Sequence, residues 1–262
     1  MIRTEHLTRR FGSIVAVDDI SFEVARGEIF AFLGPNGAGK TTTIRMLTTL
    51  LRPTSGLVEL DGLDISRQPH EVRRRFGIVF QDSSLDQELT ARENMVIHAV
   101  LYHVPSQERA GRIERLLKLF DLWERRDDLV KRFSGGMRRR LEIARSLLHT
   151  PRVIFLDEPT IGLDPQTRNQ LWTHVRLLNE QEQVTVFLTT HYMDEAERVA
   201  QRIAIIDHGR IVAMDTPAGL KQQTQTDSLE EAFLRLTGTR IREEEASGVD
   251  RMRQMARGFR RV

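Results

Sequence analysis

The chain contains no cysteine. That excludes a disulfide framework and fits a reducing compartment. It also lacks any apolar run near the roughly 18 residues a membrane helix needs. Its longest candidates, residues 29–33 and 184–188, are strand-length. Residues after Met1 alternate polar and apolar, so no signal peptide is expected. Lysine is scarce: Lys40, Lys118, Lys131 and Lys221 are the four, and arginine supplies the remaining positive charge. The arginines are scattered along the chain, so no nucleic-acid partner is expected. The net charge of +2 leaves other partners open.

An apolar fraction of 40% with 29% charged residues reads as an ordinary globular chain. Residues 2–9 and 16–24 alternate like edge or antiparallel strands. Residues 28–33 form a continuous apolar run, which predicts a buried parallel strand. A Gly-rich turn and a helix over 39–51 follow. Residues 57–60 and 76–80 read as strands, with a short basic helix over 69–75 between them. From 90 to 148 strand-like runs vanish and helical periodicity takes over, as in Ile113, Leu116, Leu117 and Phe120. Strands return at 153–157, 184–189, 202–207 and 210–214, with helices over 165–179 and 193–200. Ser228 and Glu231 spell a capping box opening a helix through Leu236. No internal repeat is visible. The Arg-rich tail after Gly238 has few large apolar residues and is expected to be weakly ordered or to dock only in a complex.

Gly34-Pro35-Asn36-Gly37-Ala38-Gly39-Lys40-Thr41, with Thr42 next, matches the phosphate-loop spacing between a strand and a helix. In such a loop backbone N–H groups ring a β-phosphate, the lysine reaches β and γ, and the hydroxyl ligates Mg²⁺. Asp157 ends an apolar strand, where an acid can hold Mg²⁺ through water. Glu158 follows and can orient and deprotonate an attacking water. Phe133-Ser134-Gly135-Gly136-Met137 precedes a helical pattern over 138–148, whose positive end would sit at the glycines. It reads as a second phosphate grip. The arginine runs 138–140 and 73–75 read as solvated helix faces.

These motifs, in this order over residues 1–237, resemble the ATP-binding subunit of an ABC transporter. The resemblance implies an α/β fold. Its P-loop NTPase core has a mixed sheet, a RecA-like subdomain, an antiparallel β subdomain and an inserted α-helical subdomain at about 90–150. Residues 238–262 form the tail. It implies that Gln81 reaches metal and water, that His191 contacts the γ-phosphate, and that Lys40 and Glu158 complete the catalytic set. Mg²⁺ falls to Thr41, Gln81 and Asp157. Phe11 matches the ring that stacks on adenine, with Val17 nearby; the alternative for Phe11 is a plain core ring. Asp164 closes a loop that crosses to a partner subunit, although Ile161-Gly162 replaces the usual Ser-Ala.

The resemblance further implies ATP and Mg²⁺ as cofactors and a head-to-tail homodimer, each ATP lying between Lys40 of one copy and Ser134, Gly135 and Gly136 of the other. A separate transmembrane permease would dock near residues 82–93, holding the chain at the cytoplasmic face of the membrane without inserting it. Phe133 and Met137, where the family usually has Leu and Gln, resemble the daunorubicin-resistance and nodulation-factor export branch. The alternatives are an importer ATPase, or a soluble ABC ATPase, which would usually carry two nucleotide domains.

Overall fold

The computed structural model describes residues 1–238. The Arg-rich tail from 239 onward, with its expected docking role, lies outside them. The chain opens with a long hairpin, β1 (Ile2–Phe11) and β2 (Ile14–Val24), then β3 (Ile29–Leu33) and α1 (Lys40–Leu47). β4 (Ser55–Leu60) and β5 (Leu63–Asp64) form a second hairpin through Asp61 and Gly62, both at positive φ. After α2 (Pro69–Arg73) comes β6 (Phe76–Val79). The insert is helical: α3 (Ala91–Leu101), α4 (Ser106–Leu119) and α5 (Gly135–Ser146). The core resumes with β7 (Val153–Asp157), α6 (Pro165–Glu182), β8 (Thr185–Thr190), α7 (Met193–Val199), β9 (Arg202–Asp207) and β10 (Arg210–Asp215). α8 (Pro217–Thr224) and α9 (Leu229–Thr237) close the described part.

Several ends differ from the sequence expectation for local reasons. α1 stops at Leu47, not 51, because Thr48 Oγ1 turns back onto the Ile44 carbonyl and Thr49 adopts φ 62°. α5 starts at Gly135, three residues early, capped by Ser134. At α9 Ser228 Oγ accepts the Glu231 N–H, whereas the full reciprocal capping box sits at Thr90 and Glu93 of α3. The sequence pattern predicts no helix at α8, although Thr216 caps it and Pro217 stands in its first turn.

One sheet runs β2-β1-β4-β5 and is antiparallel; the other runs β10-β9-β3-β8-β7-β6, parallel except for the β9–β10 pair. The two-residue side-chain period of the parallel strands makes two cores. Phe30, Phe32, Phe155 and Phe187 point to one face, where Phe22 of β2 joins them with ring centroids 5.5 to 6.0 Å apart. Ala31, Leu33, Ile154, Leu156, Val186 and Leu188 point to the other, against helices that include α5 and α6. Strands buried on both faces require this continuous apolar sequence.

The helical insert is tied to the sheet edge by an aromatic stack. Tyr102 lies between His98 and His149, at centroid distances of 4.5 and 4.2 Å, and His149 Nε2 donates to the Phe76 carbonyl of β6 (2.9 Å). Burial, with help from the Arg145 and His149 charges, pushes the His98 imidazole down to about 3. The unfolded chain then binds more protons than the native one between about 3 and about 6.5, so stability rises with pH across that window and is lost on acidification. Between pH 7 and pH 5 His98 should cost at most about 2 kcal/mol of stability. Urea midpoints at the two pH values measure this, and His98→Gln should flatten the difference.

Candidate nucleotide-binding and catalytic site

The parallel order places the carboxyl ends of β3, β7 and β8 side by side, the usual location for ligand chemistry in such sheets. The phosphate loop leaves β3 and enters α1 through Gly39. Its φ is 107°, and a Cβ there would lie 2.5 Å from the Ala16 carbonyl, so only glycine fits. Fully buried Val17 supports the loop from below, its Cγ2 3.4 Å from that Cβ position. Val17 is thus a floor beneath the loop, not a surface open to a base. Asn36 and Gly37 form the loop's exposed outer turn, closed by the Ala38 N–H on the Pro35 carbonyl (3.2 Å); Ala38 is buried, and Thr42 is half-buried beside Thr41.

Lys40 Nζ donates to the carbonyls of Gly34 (2.6 Å) and Pro35 (3.1 Å) and lies 3.3 Å from Glu158 Oε1. Glu158 Oε2 is 2.7 Å from His191 Nδ1. Burial pushes the Lys40 ammonium down, against the attraction of Glu158. Burial also opposes ionisation of Glu158, yet His191 and Lys40 together hold its carboxyl below the ordinary range. Glu158 is therefore ionised at neutral pH. Its φ of 50° is left-handed, and its N–H is held by the Thr189 carbonyl and hydroxyl at 3.2 and 3.1 Å.

Asp157 is buried and accepts from Thr189 Oγ1 (2.6 Å); Thr41 Oγ1 lies 3.4 Å from the same oxygen. A carboxylate beside a hydroxyl is a hard-oxygen pair that fits Mg²⁺, with phosphate and water filling the remaining positions. Thr189 had no motif to announce it; only the register, which sets it opposite Asp157, reveals it.

Phe11 is 46% exposed near the hairpin tip, with the Arg9 guanidinium 4.4 Å from its ring centroid. This removes the core-ring alternative and leaves the ring accessible. Gln81 is exposed after β6, and its backbone is gripped from α5. Arg139 donates Nη1 to the Phe80 carbonyl (2.5 Å) and Nη2 to the Gln81 carbonyl (3.1 Å). It also pairs with Glu142 (3.2 Å), which accepts the Ser84 N–H (2.8 Å). The 138–140 run is therefore not a solvated face. With α5 starting at Gly135, Arg139 shares the inward side with Gly136 and Ile143, and Arg140 reaches the Phe120 carbonyl (3.1 Å).

Ser134 is exposed and caps α5, its Oγ accepting the Met137 N–H (3.2 Å). Gly135 and Gly136 form the first turn. A Cβ on Gly136 would meet Thr167 Cγ2 at 2.2 Å, so α5 and α6 abut at their N-termini. Asp164 caps α6 by accepting from Thr167 N (3.0 Å) and Oγ1 (2.6 Å), which holds its carboxyl low. Gly162 has φ 73° in the loop before it. Among the described residues, no hydrogen bond or ion pair joins 134–136 to 34–41.

Residues 17–161 match a family described as ABC transporter. The chain is 44% identical over 229 residues, 87% of its length, to a daunorubicin resistance ATP-binding protein of Streptomyces coeruleorubidus, covering 71% of that protein. It is 43% identical to a Nod factor export ATP-binding protein of Ralstonia nicotianae, over 83% of this chain and 67% of that one. Its fold superimposes with TM-score 0.74 and 28% identity on an ATP-binding cassette solved as a dimer in a post-hydrolysis state with ADP and Pi; 82% of this chain and 98% of that one are covered.

Arg139→Ala should destabilise the fold by roughly 3 kcal/mol, because it leaves Glu142 buried without its cation. Arg139→Lys should restore little, since one ammonium cannot reproduce a fork spanning two carbonyls. Guanidinium unfolding of the two variants decides this.

Proposed function

This chain belongs to the ABC transporter family, and we propose that it is the ATP-hydrolysing subunit of an exporter whose membrane-spanning part is a separate polypeptide. It is an ATPase of that family with an α/β P-loop fold. The observation that carries the site assignment is the chain from buried Lys40 through buried Glu158 to half-buried His191, beside Asp157 and Thr41.

The residues divide the work. Loop N–H groups from 34 to 41 bind the phosphates, and Phe11 stacks on the adenine. Lys40 exchanges Glu158 for the β- and γ-phosphates. Glu158, ionised and released, accepts the proton of the attacking water. His191, oriented through Nδ1 by Glu158, addresses the γ-phosphate. Thr41, Asp157 and Gln81 would hold Mg²⁺, which would supply positive charge to neutralise developing phosphate charge.

One chain carries one phosphate loop and one Ser-Gly-Gly turn, and the two are not joined. A second copy related by a two-fold axis supplies Ser134, Gly135 and Gly136 across the nucleotide, with Asp164 at the crossing. Hydrolysis removes the bridging phosphate and lets the copies part.

No helix among the described residues is long and apolar enough to cross a membrane. Next to segment 82–93, α3 exposes Val96, Ile97, Val100 and Leu101. This apolar face supports permease docking there, which holds the ATPase at the cytoplasmic side of the membrane. The relatives named for daunorubicin resistance and Nod factor export support outward transport of a drug-like or lipid-like molecule. Phe133 is buried and Met137 packs on the core, so the export-type flanks of the Ser-Gly-Gly turn are set by packing.

Glu158→Gln should retain ATP binding, lose at least about 100-fold in turnover and accumulate as a dimer with ATP and Mg²⁺ on a sizing column. A variant that stays monomeric and hydrolyses at the parent rate removes the base assignment. Ser134→Arg should abolish hydrolysis while nucleotide binding to the monomer is unchanged; normal turnover would refute the shared site.

A further inference from the structure

Behind His191 lies an ion pair that the mechanism above does not use. Arg168 stands in the first turn of α6 and Glu195 in the first turn of α7. Glu195 is 1% exposed, with Oε1 3.7 Å from Arg168 Nη1. Its Oε2 accepts from Thr160 Oγ1 at 2.6 Å, and Thr160 is itself 1% exposed. Arg168 Nε donates to the Leu163 carbonyl at 2.8 Å. Both ends of the loop between Glu158 and Asp164 are thus held by this one pair.

The same arginine faces the catalytic histidine through one ring. Its guanidinium lies 4.4 Å from the Tyr192 centroid, and the Tyr192 and His191 rings are 4.1 Å apart. A planar guanidinium can stack on a ring while its edge donates to a carbonyl, which an ammonium cannot do. Burial pushes the Glu195 carboxyl above its ordinary range, against the Thr160 hydrogen bond and the Arg168 charge.

We propose that Arg168 and Glu195 are positioning residues that set His191 according to where the partner-crossing loop lies. A second copy pressing on Asp164 shifts Leu163 and Thr160. Arg168 and Glu195 pass that displacement through Tyr192 to His191, so the histidine takes its working position only in the closed dimer. This rests on the ATPase reading above.

Steady-state hydrolysis by the full chain, equilibrium binding of a fluorescent ATP analogue and thermal midpoints test it together. Arg168→Ala and Glu195→Ala should each lower kcat about 10-fold while KM and analogue binding stay within about twofold. Glu195→Gln should remain within about threefold of the parent, because its amide oxygen still accepts from Thr160. Tyr192→Phe should be neutral and Tyr192→Ala should resemble Arg168→Ala. The double variant Arg168→Ala/Glu195→Ala should be no worse than the poorer single one. Arg168→Ala at the parent rate, multiplicative losses in the double variant, or Glu195→Gln as impaired as Glu195→Ala would each overturn the proposal. Should Glu195→Ala melt early, Arg168→Ala and Glu195→Gln decide alone. A parent chain without hydrolysis would remove the ATPase reading and this proposal with it, whereas failure confined to the variants removes the proposal only.

Discussion

A buried ammonium 3.3 Å from a buried carboxylate is the constraint around which the catalytic end is built. Neither Lys40 nor Glu158 exposes more than 8% of its side chain. Such a pair is costly unless every remaining donor and acceptor is met. The Gly34 and Pro35 carbonyls meet the ammonium, and His191 meets the second carboxylate oxygen. On the proposed reading an incoming phosphate displaces an existing partner; it does not fill a neutral hole. Ligand capture and release of the Glu158 carboxylate would then be one event, because Lys40 cannot serve both anions fully.

The rest of the fold holds that pair in register. β3, β7 and β8 are adjacent and parallel, so their ends deliver the loop, both acids and the histidine to one edge. Phenylalanines of the three strands lock the sheet from one side, and the smaller aliphatics accept the helices from the other. α5 then connects regions. Its start presents Ser134, its first turns touch Thr167, and Arg139 grips the backbone at Gln81. A rotation of the helical insert must carry both the Ser-Gly-Gly turn and the Gln81 loop with it.

What was legible in the sequence is what local chemistry dictates. The phosphate loop is read from contiguous spacing, since its glycines and lysine answer to one ligand and one turn. The central strands are read from apolar runs that only two-sided burial explains. Residues that act across distant segments were not legible. Thr189 matters through its register with Asp157. Arg139 reads as a surface residue because an arginine run carries no sign of the distant Phe80 and Gln81 carbonyls that satisfy it when buried. The capping-box sequences at Thr90 and Ser228 look alike, yet only the one at Thr90 closes reciprocally among the described residues. Arg168 and Glu195 sit 27 positions apart and carry no spacing signature of their own.

The left-handed backbone at Glu158 has a consequence for how such a chain diverges. A non-glycine residue at φ 50° carries a local conformational cost that glycine or asparagine would relieve. Glycine there would relieve that cost but leave Lys40 a buried ammonium without its carboxylate, which costs more. Laboratory selection for thermal endurance alone would thus keep an acceptor beside Lys40 and His191 without requiring that it be a base. On the proposed assignment a screen that scores turnover would separate glutamate from its amide, which makes residue 158 a marker of whether a variant library was selected for work or for survival.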